Sequence, residues 1–549
     1  MIVALNSGGL RIARTLSLRA LDTGSSGLHI HAPATRVHPV RVFGHDRLCA
    51  VVAARYTADA IQQLRFAMNV AKARVIELRL DFLGARSKIE SFLSWVAREP
   101  RKPRLIATCR RLPAGGRFKG SIDAEIALLK QAVHAGCRWC DVEIETAQRF
   151  APGRLRSDLV PARVLVSAHD FRRLPQNLPA LVARLEACRG DAIKIAAACY
   201  SLAEVRRFLE LVRGRPDLVA IPMGDEMVGA RILALRQGSA LAYAPVSLAT
   251  APGQIAFDEI DRVYRLRRRF GRSAGIHPGT AVYGVIADPV AHSLSPLMHN
   301  AGFAARKKDA IYVPFRVQDL PDFIAAIKPF GIAGFSVTIP HKERILRYLD
   351  VCDPLAAEIG AVNTVVVRAG KLCGYNTDFV GVLRALEKRL KLPSSRVLLV
   401  GAGGSARAAA FALARAGAAV SICARRPQRA RALARLVGGE AIDRRRLRGS
   451  FFDAIVNCTP IGMHSHGGSP LESGELNCGL VMDLIYRPLK TELLRRAESR
   501  GIATVSGVDM FLAQGFAQWQ LWMGEPAPQS AMRRVVMAAL QKEEKFPRR

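Results

Sequence analysis

The chain has 549 residues, half of them hydrophobic, and its 81 lysines and arginines against 46 acidic residues give a formal net charge of +35. This length allows roughly two to four domains, and the hydrophobic content excludes a mainly disordered chain. No apolar run reaches the roughly 20 residues of a membrane-spanning helix. The charge leaves nucleic-acid binding open as a hypothesis, but we favour an arginine-rich surface around sites for anionic substrates, since we see no recognition motif for nucleic acid.

Eleven cysteines are scattered along the chain, and Cys137 and Cys140 form its one CxxC pair. Because no second pair follows at the spacing of a zinc site, we expect no metal. We interpret the cysteines as reduced thiols of a cytoplasmic protein.

Residues 1–44 have no regular pattern, and five arginines there accompany a single acidic residue, Asp22. An organelle transit peptide has this kind of composition. An unstructured extension of the chain explains the same facts, and in a chain this basic we predict the extension.

From Leu48 onward, eight short β-type runs alternate with helical stretches such as 58–71, 122–134, 178–188 and 202–212. This alternation predicts a (β/α)8 barrel over residues 45–263. The eight runs are 48–53, 75–81, 104–110, 139–144, 163–170, 192–197, 218–223 and 241–246.

Lys194 lies inside one of these apolar runs, where a charged amine is costly unless it is paired or its pKa falls. A lysine with a lowered pKa can form a Schiff base with a ketone, and His169, at the end of the preceding run, could move protons in that adduct. A buried lysine paired with a carboxylate such as Glu77 explains the same pattern.

Further polar residues favour an active site, because the chemistry of such barrels lies at the C-terminal ends of the strands. They lie in the later parts of the predicted strands or in the loops that follow, at Glu77, Arg79, Arg110, Glu143, Arg231 and Gln254.

The segments ELRLD, SAHDF, IKIA, PMGDEMVGAR and ATAPGQ, within about residues 46–262, resemble the signatures of type I 3-dehydroquinate dehydratase. The resemblance implies that Lys194 forms a Schiff base with the substrate and that His169 is the general acid and base. It also implies that the substrate's carboxylate and hydroxyls are held by Glu77, Arg79, Arg110, Arg231, Thr250 and Gln254.

The chain departs from this family in the loops around the expected substrate. Ala114 stands where the family usually has glutamate, Ala230 where serine is usual, and Met227 where glycine is common. Because Lys194 and His169 are unchanged, we expect these differences to alter rate and affinity more than the reaction.

Residues 264–279 contain an arginine cluster and no apolar period, and we interpret them as a linker. A second α/β unit follows over residues 280–383, with a small, mostly parallel sheet. Lys342 and Asp378 are among the polar residues near its strand ends. Together they could serve catalysis, and a surface salt bridge would give the same pattern.

The stretch SRVLLVGAGGSARAAAFALARAG is an apolar strand, a glycine turn and a helix. Gly401, Gly403 and Ala406 match the GxGxxA pattern of dinucleotide binding, in which the pyrophosphate rests on the helix N-terminus. The next strand ends in Arg425 and Arg426 and not in an acidic residue, which favours a 2′-phosphate and therefore NADP. We predict a Rossmann domain over residues 384–511.

The segments VAHSLSPLMHN, FSVTIPHKE, GAVNTV, GYNTDF, GAGGSARA, NCTPIGM and SGVDMFLAQG, over about residues 280–545, resemble those of shikimate dehydrogenase. The resemblance implies a substrate domain completed by C-terminal helices (512–545) and a cleft between it and the dinucleotide domain. It implies that Lys342 and Asp378 move the proton of the alcohol while hydride passes to or from the nicotinamide.

The same resemblance implies two further groups of residues. The substrate would contact Ser293, Ser295, Thr338, Asn363, Tyr486 and Gln514. NADP would contact Gly401, Ala402, Gly403, Gly404, Ser405, Ala406, Arg425, Arg426 and Gly507.

Together the two resemblances predict an α/β enzyme whose TIM barrel dehydrates 3-dehydroquinate and whose second half reduces 3-dehydroshikimate to shikimate with NADPH. No metal, membrane or nucleic-acid partner is expected, and no oligomeric state is predicted. Two alternatives remain open: a dehydrogenase that prefers quinate or uses NAD, and a barrel that is an inactive scaffold.

Overall fold

The computed structural model describes residues 42–43, 46–224, 227–247, 254–267, 269–270, 273–290, 293–463 and 466–545. The predictions made for residues 1–41 and for Thr250 therefore lie outside the described residues. None of the helices in the described ranges has the length and apolar character of a membrane span.

Eight parallel strands alternate with helices in the first half, which confirms the predicted barrel. The strands are β1 (Leu48–Val52), β2 (Val75–Arg79), β3 (Arg104–Thr108), β4 (Trp139–Glu143), β5 (Arg163–Asp170), β6 (Ala192–Ala198), β7 (Leu218–Met223) and β8 (Ala242–Pro245). They pair in the order β7-β6-β5-β4-β3-β2-β1-β8. The amide of Ala240 donates to the carbonyl of Leu218 (2.9 Å), which links the two ends of this sheet.

Helices surround the barrel, and several begin at a side-chain cap. Ser121, Asn177 and Ser201 each accept a hydrogen bond from the amide three residues later, which satisfies a free N–H of the first turn. The helices are α1 (Thr57–Arg65), α2 (Arg86–Arg98), α3 (Ile122–His134), α4 (Ile144–Ala147), α5 (Arg154–Asp158), α6 (Leu178–Ala187), α7 (Leu202–Glu210), α8 (Val228–Gln237) and α9 (Phe257–Tyr264).

An apolar cluster closes the N-terminal end of the barrel. The rings of Phe43 and Trp139 lie 4.4 Å apart, and both side chains are buried. Arg104, the first residue of β3, donates to the carbonyl of Phe43 at 2.5 Å. With this end packed, the buried charged side chains carried by β2, β4 and β6 lie in the middle of the strands or toward their C-terminal ends.

The second half begins after two short antiparallel strands in the predicted linker, β9 (Arg269–Phe270) and β10 (Ser273–Ala274). Its first sheet has the order β12-β11-β13-β15-β16-β14. These strands are β11 (Ala281–Ala287), β12 (Ala310–Arg316), β13 (Ile332–Val337), β14 (Val351–Cys352), β15 (Thr364–Arg368) and β16 (Lys371–Tyr375).

This sheet is mostly parallel, as the sequence predicts, because five of its six described strands run in the same direction and β15 runs opposite to them. Strands β13 and β15, and β15 and β16, pair antiparallel. The tight turn between β15 and β16 consists of Ala369 (φ 48°) and Gly370 (φ 77°), and two residues with positive φ form the hairpin turn that matches strand twist.

The second sheet of this half is fully parallel, in the order β19-β18-β17-β20-β21-β22, as expected of a Rossmann domain. Its strands are β17 (Arg396–Val400), β18 (Ala419–Cys423), β19 (Glu440–Ala441), β20 (Phe452–Asn457), β21 (Cys478–Asp483) and β22 (Ala503–Val505).

The C-terminal helices return to the first sheet of this half, because Trp519, Met532 and Val536 pack into one cluster with Met298 and Phe303. The helices of this half are α10 (Ser295–Ala305), α11 (Leu320–Phe330), α12 (Pro354–Ile359), α13 (Asp378–Leu386), α14 (Gly404–Arg415), α15 (Pro427–Val437), α16 (Glu492–Glu498), α17 (Gly507–Met523) and α18 (Gln529–Lys545).

The barrel packs directly on the second half. Arg206 of α7 pairs with Asp322 of α11 at 3.3 Å. Helix α8 crosses the edge strand β12 so closely that a Cβ on Gly229 would lie 2.2 Å from the carbonyl oxygen of Pro314. Helix α8 thereby covers β12, whose outer edge has backbone N–H and C=O groups that no other described strand pairs.

Candidate active sites

A buried lysine–carboxylate pair lies inside the barrel. Lys194, in the middle of β6, is 2% exposed, and its Nζ donates to Oδ2 of Asp141 at 2.5 Å. Glu77 Oε1 lies farther from Nζ, at 3.7 Å, and the ring of Tyr243 lies 4.5 Å from it. Burial acts to raise the pKa of Asp141, but the positive charges of Lys194 and Arg110 hold it well below its usual range.

His169 lies next to this pair on the neighbouring strand. Ser167 of β5 is opposite Lys194 of β6, and His169 is two residues closer to the C-terminal end. Burial lowers the pKa of His169 well below its usual value, and the positive charges of Arg110 and Lys194 act in the same direction. The imidazole is therefore neutral at neutral pH and can accept a proton.

Arg110 and Glu143 form the wall beside His169. Arg110 Nε donates to Glu143 Oε1 at 2.6 Å, and Glu143 Oε1 lies 2.6 Å from Nδ1 of His169. Within the described residues the buried Nη2 of Arg110 makes no hydrogen bond; the nearest carboxylate oxygen, from Asp141, lies 3.6 Å away. Such a donor fits an anionic group of a bound substrate.

The other predicted substrate residues of the barrel differ in their surroundings. Glu77 accepts a hydrogen bond from Thr108 at 2.8 Å, while Arg79 makes a double hydrogen bond to Asp81, both at 2.9 Å. Arg231 donates to the carbonyl of Pro222, and burial lowers its pKa to about 10. Two further predicted residues are less informative, since Gln254 is half-buried before α9 and Thr250 lies outside the described residues.

Asp141 is the main residue of this site that the sequence-based prediction missed. The signal was present, because Asp141 and Glu143 are two apart in an otherwise apolar strand and so point to the same side. Ser167 was also missed, and its hydroxyl donates to Oδ1 of Asp141 at 2.5 Å.

The second site lies where the two domains of the second half meet. Lys342, which follows β13, donates to Oδ2 of Asp378 at 2.5 Å and to Oγ of Ser405 in α14 at 3.0 Å. The side chains of Lys342 and Asp378 are only 12% and 6% exposed, so they do not form a surface salt bridge.

Asn363 fixes the orientation of Asp378. Its Nδ2 donates to Oδ1 of Asp378 at 2.8 Å and to Oγ1 of Thr377 at 2.9 Å. Gln514 Oε1 lies 3.5 Å from the same nitrogen, and the amide of Thr377 donates back to Asn363 Oδ1 at 2.7 Å. Three predicted residues, Asn363, Asp378 and Gln514, thus share one network.

The remaining predicted substrate residues lie on neighbouring elements. Ser293 Oγ accepts from the amide of Ser295 at 3.2 Å, at the start of α10. Tyr486 stacks on Phe511 at 4.2 Å; burial raises its pKa, and the backbone of Leu294 and the side chain of Ser293 partly offset this. Thr338 follows β13 and is half-buried.

Gln518 was missed by the sequence-based prediction, although it lies one helical turn from Gln514 on α17 and therefore on the same face. It is 1% exposed. Its amide nitrogen donates to Oγ1 of Thr364 at 3.1 Å, and its oxygen accepts from Ser336 at 3.0 Å. The hydroxyl of Tyr312 donates in turn to Ser336 at 2.6 Å.

The glycine turn after β17 fits a dinucleotide. Gly401 has φ +118°, and a Cβ on Gly403 would meet nothing within 4 Å, so the backbone there is open to a ligand. The turn leads into the N-terminus of α14, where free N–H groups favour phosphate. A Cβ on Gly507 would lie 2.5 Å from the carbonyl oxygen of Leu484, which accounts for glycine at that position.

The remaining residues predicted for the cofactor lie around this turn. Ala402 and Ser405 are half-buried and Ala406 is buried. A Cβ on Gly404 would lie 3.2 Å from Cβ of Lys342, so the turn lies directly against the lysine of the second site. Beyond β18, the side chains of Arg425 and Arg426 are exposed, as are those of residues 427–429.

The fold and the two sites define an α/β enzyme with a lysine-containing barrel and a dinucleotide-binding dehydrogenase on one chain. Residues 48–270 match the model of type I 3-dehydroquinase. Residues 285–365 match the shikimate dehydrogenase substrate binding domain, and residues 507–537 match the shikimate 5′-dehydrogenase C-terminal domain.

The chain belongs to the family of bifunctional 3-dehydroquinate dehydratase/shikimate dehydrogenases. It is 33% identical over 508 residues to the chloroplastic protein of that name from Arabidopsis thaliana, which covers 87% of this chain and 83% of the relative. The second half alone is 43% identical over 289 residues to shikimate dehydrogenase (NADP(+)) of Symbiobacterium thermophilum, covering 49% of this chain and 98% of that protein. The corresponding protein of Thermococcus kodakarensis is 41% identical over 268 residues, covering 48% of this chain and 97% of the relative.

Proposed function

We propose that this chain catalyses two successive reactions: the barrel dehydrates 3-dehydroquinate, and the second half reduces the resulting 3-dehydroshikimate to shikimate with NADPH. The observation that supports this most directly is that Lys194 and a neutral His169 lie on adjacent strands of the barrel, two residues apart in register. A buried amine and a base on neighbouring strands are what a Schiff-base dehydration requires.

In the barrel, the Nζ of Lys194 attacks the ketone, and loss of water gives an iminium. The iminium accepts the electron pair that is released when Nε2 of His169 removes the neighbouring α-proton. The double bond then forms as the β-hydroxyl leaves, and His169 returns its proton to make that hydroxyl water. Hydrolysis of the iminium frees the product and Lys194. Arg110 binds the anionic substrate in this proposal, which is supported by its buried Nη2 having no hydrogen-bond partner in the described residues.

In the second half, bound NADPH supplies the hydride for the carbonyl carbon of 3-dehydroshikimate. Lys342 donates a proton to the oxygen of that carbonyl, and Asp378, 2.5 Å away, pairs with the lysine and holds it in place. Asn363 keeps Asp378 oriented through its amide. The residues that would hold the cofactor are the turn 401–406, Gly507 and, toward the 2′-phosphate, Arg425 and Arg426.

The test supplies the purified chain with 3-dehydroquinate and NADPH only and follows NADPH consumption. Consumption supports both activities, because the dehydrogenase needs the product of the dehydratase. If nothing is consumed, 3-dehydroshikimate is supplied directly. If 3-dehydroshikimate is then reduced, the barrel is inactive. If 3-dehydroshikimate is not reduced either, the proposed cofactor or substrate is wrong.

We also propose a cytoplasmic location and no nucleic-acid partner. All eleven cysteines are free thiols, which fits a reducing compartment. A filter-binding titration tests the second point, since nucleic-acid binding by so basic a chain would weaken steeply with salt.

A further inference from the structure

Glu143 contacts His169 in a way that the proposed mechanism above does not use. Its Oε1 lies 2.6 Å from Nδ1 of His169, and both side chains are about 95% buried. In the described part of the chain, no other carboxylate forms an ion pair with this histidine. The loop after β3 cannot supply one from position 114, where the family usually has glutamate, because this chain has Ala114.

The two carboxylates of β4 serve different partners. Asp141 and Glu143 point to the same side of the strand, but Asp141 contacts Lys194 at 2.5 Å and Glu143 contacts His169. Arg110 holds Glu143 in place, because its Nε donates to the same carboxylate oxygen at 2.6 Å. Each of the two reacting groups thus has its own carboxylate.

We propose that Glu143 is a positioning residue of the dehydration, which holds His169 in the tautomer with its proton on Nδ1. Within the part of the chain that the structure describes, the buried Nδ1 has no hydrogen bond of good angle, and Oε1 of Glu143 at 2.6 Å is the acceptor within its reach. In the proposed working arrangement the Nδ1–H group donates to this carboxylate, and the lone pair on Nε2 faces the substrate. In the described residues Nε2 makes no hydrogen bond to the protein. This inference rests on the proposed function, because it assigns a task to Glu143 only if His169 removes the α-proton.

The arrangement predicts how the reaction depends on pH. Burial raises the pKa of Glu143 to about 7, while Arg110 and Lys194 lower it and Asp141 raises it. Below this pKa the carboxyl group is protonated and holds the Nδ1 proton less well, whereas His169 stays neutral because its own pKa is well below its usual value. The kcat of dehydration should therefore rise with pH through about 7.

Glu143→Gln tests the proposal, with Glu143→Asp as the conservative variant. Glu125→Gln is the matched control, since Glu125 is also a buried barrel carboxylate whose pKa burial raises to about 7. Its partners are Thr146 (2.9 Å) and Arg111 (3.1 Å) and not His169. Borohydride trapping of the substrate on Lys194 reports whether the barrel of each variant is folded, and the dehydrogenase activity reports on the second half.

We expect Glu143→Gln to lower kcat of dehydration by about 100-fold or more, the size of a general acid–base contribution, and to abolish the rise of kcat with pH. KM should change little, and borohydride should still trap the substrate on Lys194, because iminium formation does not need Glu143. Glu143→Asp should recover part of the rate and restore the rise with pH. Glu125→Gln should keep the wild-type rate and pH profile.

A Glu143→Gln variant with wild-type kcat and pH profile would overturn the proposal. Equal losses in Glu143→Gln and Glu125→Gln, together with loss of borohydride trapping, would show a structural effect and overturn it too. The wild-type chain is measured first. If it reduces 3-dehydroshikimate but neither dehydrates 3-dehydroquinate nor is trapped by borohydride, the proposed function of the barrel itself has failed.

Discussion

Substitutions in the Lys194–Asp141 pair should change the free energy of unfolding and the dehydration activity in different ways. Lys194→Met removes the charged partner of a carboxylate whose side chain is 1% exposed, and breaking a buried pair in this way costs about 3–5 kcal/mol. Asp141 still has two partners in this variant, Arg110 at 3.6 Å and the hydroxyl of Ser167. We therefore expect the free energy of unfolding to fall by the lower value of this range, about 3 kcal/mol. This corresponds to roughly a 100-fold change in the unfolding equilibrium.

The double variant Lys194→Met/Asp141→Asn should recover most of this loss, because it leaves no uncompensated charge and Ser167 can still donate to the amide oxygen. Both variants should lack dehydration entirely and keep the dehydrogenase activity. The measurement is urea unfolding followed by far-UV circular dichroism, with Lys130→Met, an exposed lysine of α3, as the control for removing a charge. The reasoning would be refuted if the free energy of unfolding of Lys194→Met lay within about 1 kcal/mol of the wild-type value. It would also be refuted if the double variant were less stable than Lys194→Met.

Three further predictions test other parts of the structure. Phe43→Ala should lower the free energy of unfolding by about 3–5 kcal/mol because the ring is 1% exposed, and Phe66→Ala, at 36% exposure, should cost far less in the same urea titration. Asp378→Asn should reduce kcat of the dehydrogenase about 100-fold or more without affecting dehydration, as steady-state assays of both reactions would show. Replacing Arg425 and Arg426 by glutamine should raise KM for NADPH by about 10-fold or more and leave KM for NADH unchanged, and equal changes for both dinucleotides would contradict a contact with the 2′-phosphate.

The barrel could be predicted from the sequence because its strands are short, apolar and regularly separated by helical stretches. Lys194 and His169 could be singled out for the same reason, since a polar residue inside such a run or at its end breaks the apolar pattern. Asp141 gave a similar signal but was missed, because its contact with Lys194 depends on β4 and β6 lying on either side of β5. Asp141 of β4 reaches Lys194 of β6 across the intervening strand β5 because the sheet curves into a barrel.

Other features required the tertiary structure. The hairpin of β15 and β16 depends on a two-residue turn that begins with alanine at positive φ, for which the sequence has only a weak signal. Gln518 lies in a helix whose polar contacts come from β13 and β15, and these strands are far away in the chain. The contact of Gly229 with Pro314 arises because the two halves pack together.

The two sites place a lysine against an aspartate at the same distance, 2.5 Å, and their surroundings determine what each lysine can do. Lys194 lies within a strand under the ring of Tyr243, with a side chain 3% exposed, so a ketone in the barrel is the group that its nitrogen can reach. Lys342 follows a strand, is 12% exposed and also contacts Ser405 beside the glycine turn. This position fits the proposed role of Lys342 as the proton donor in the reduction. We therefore propose that the same ion pair serves covalent catalysis where the lysine is enclosed with a base, and proton donation where it lies beside the glycine turn.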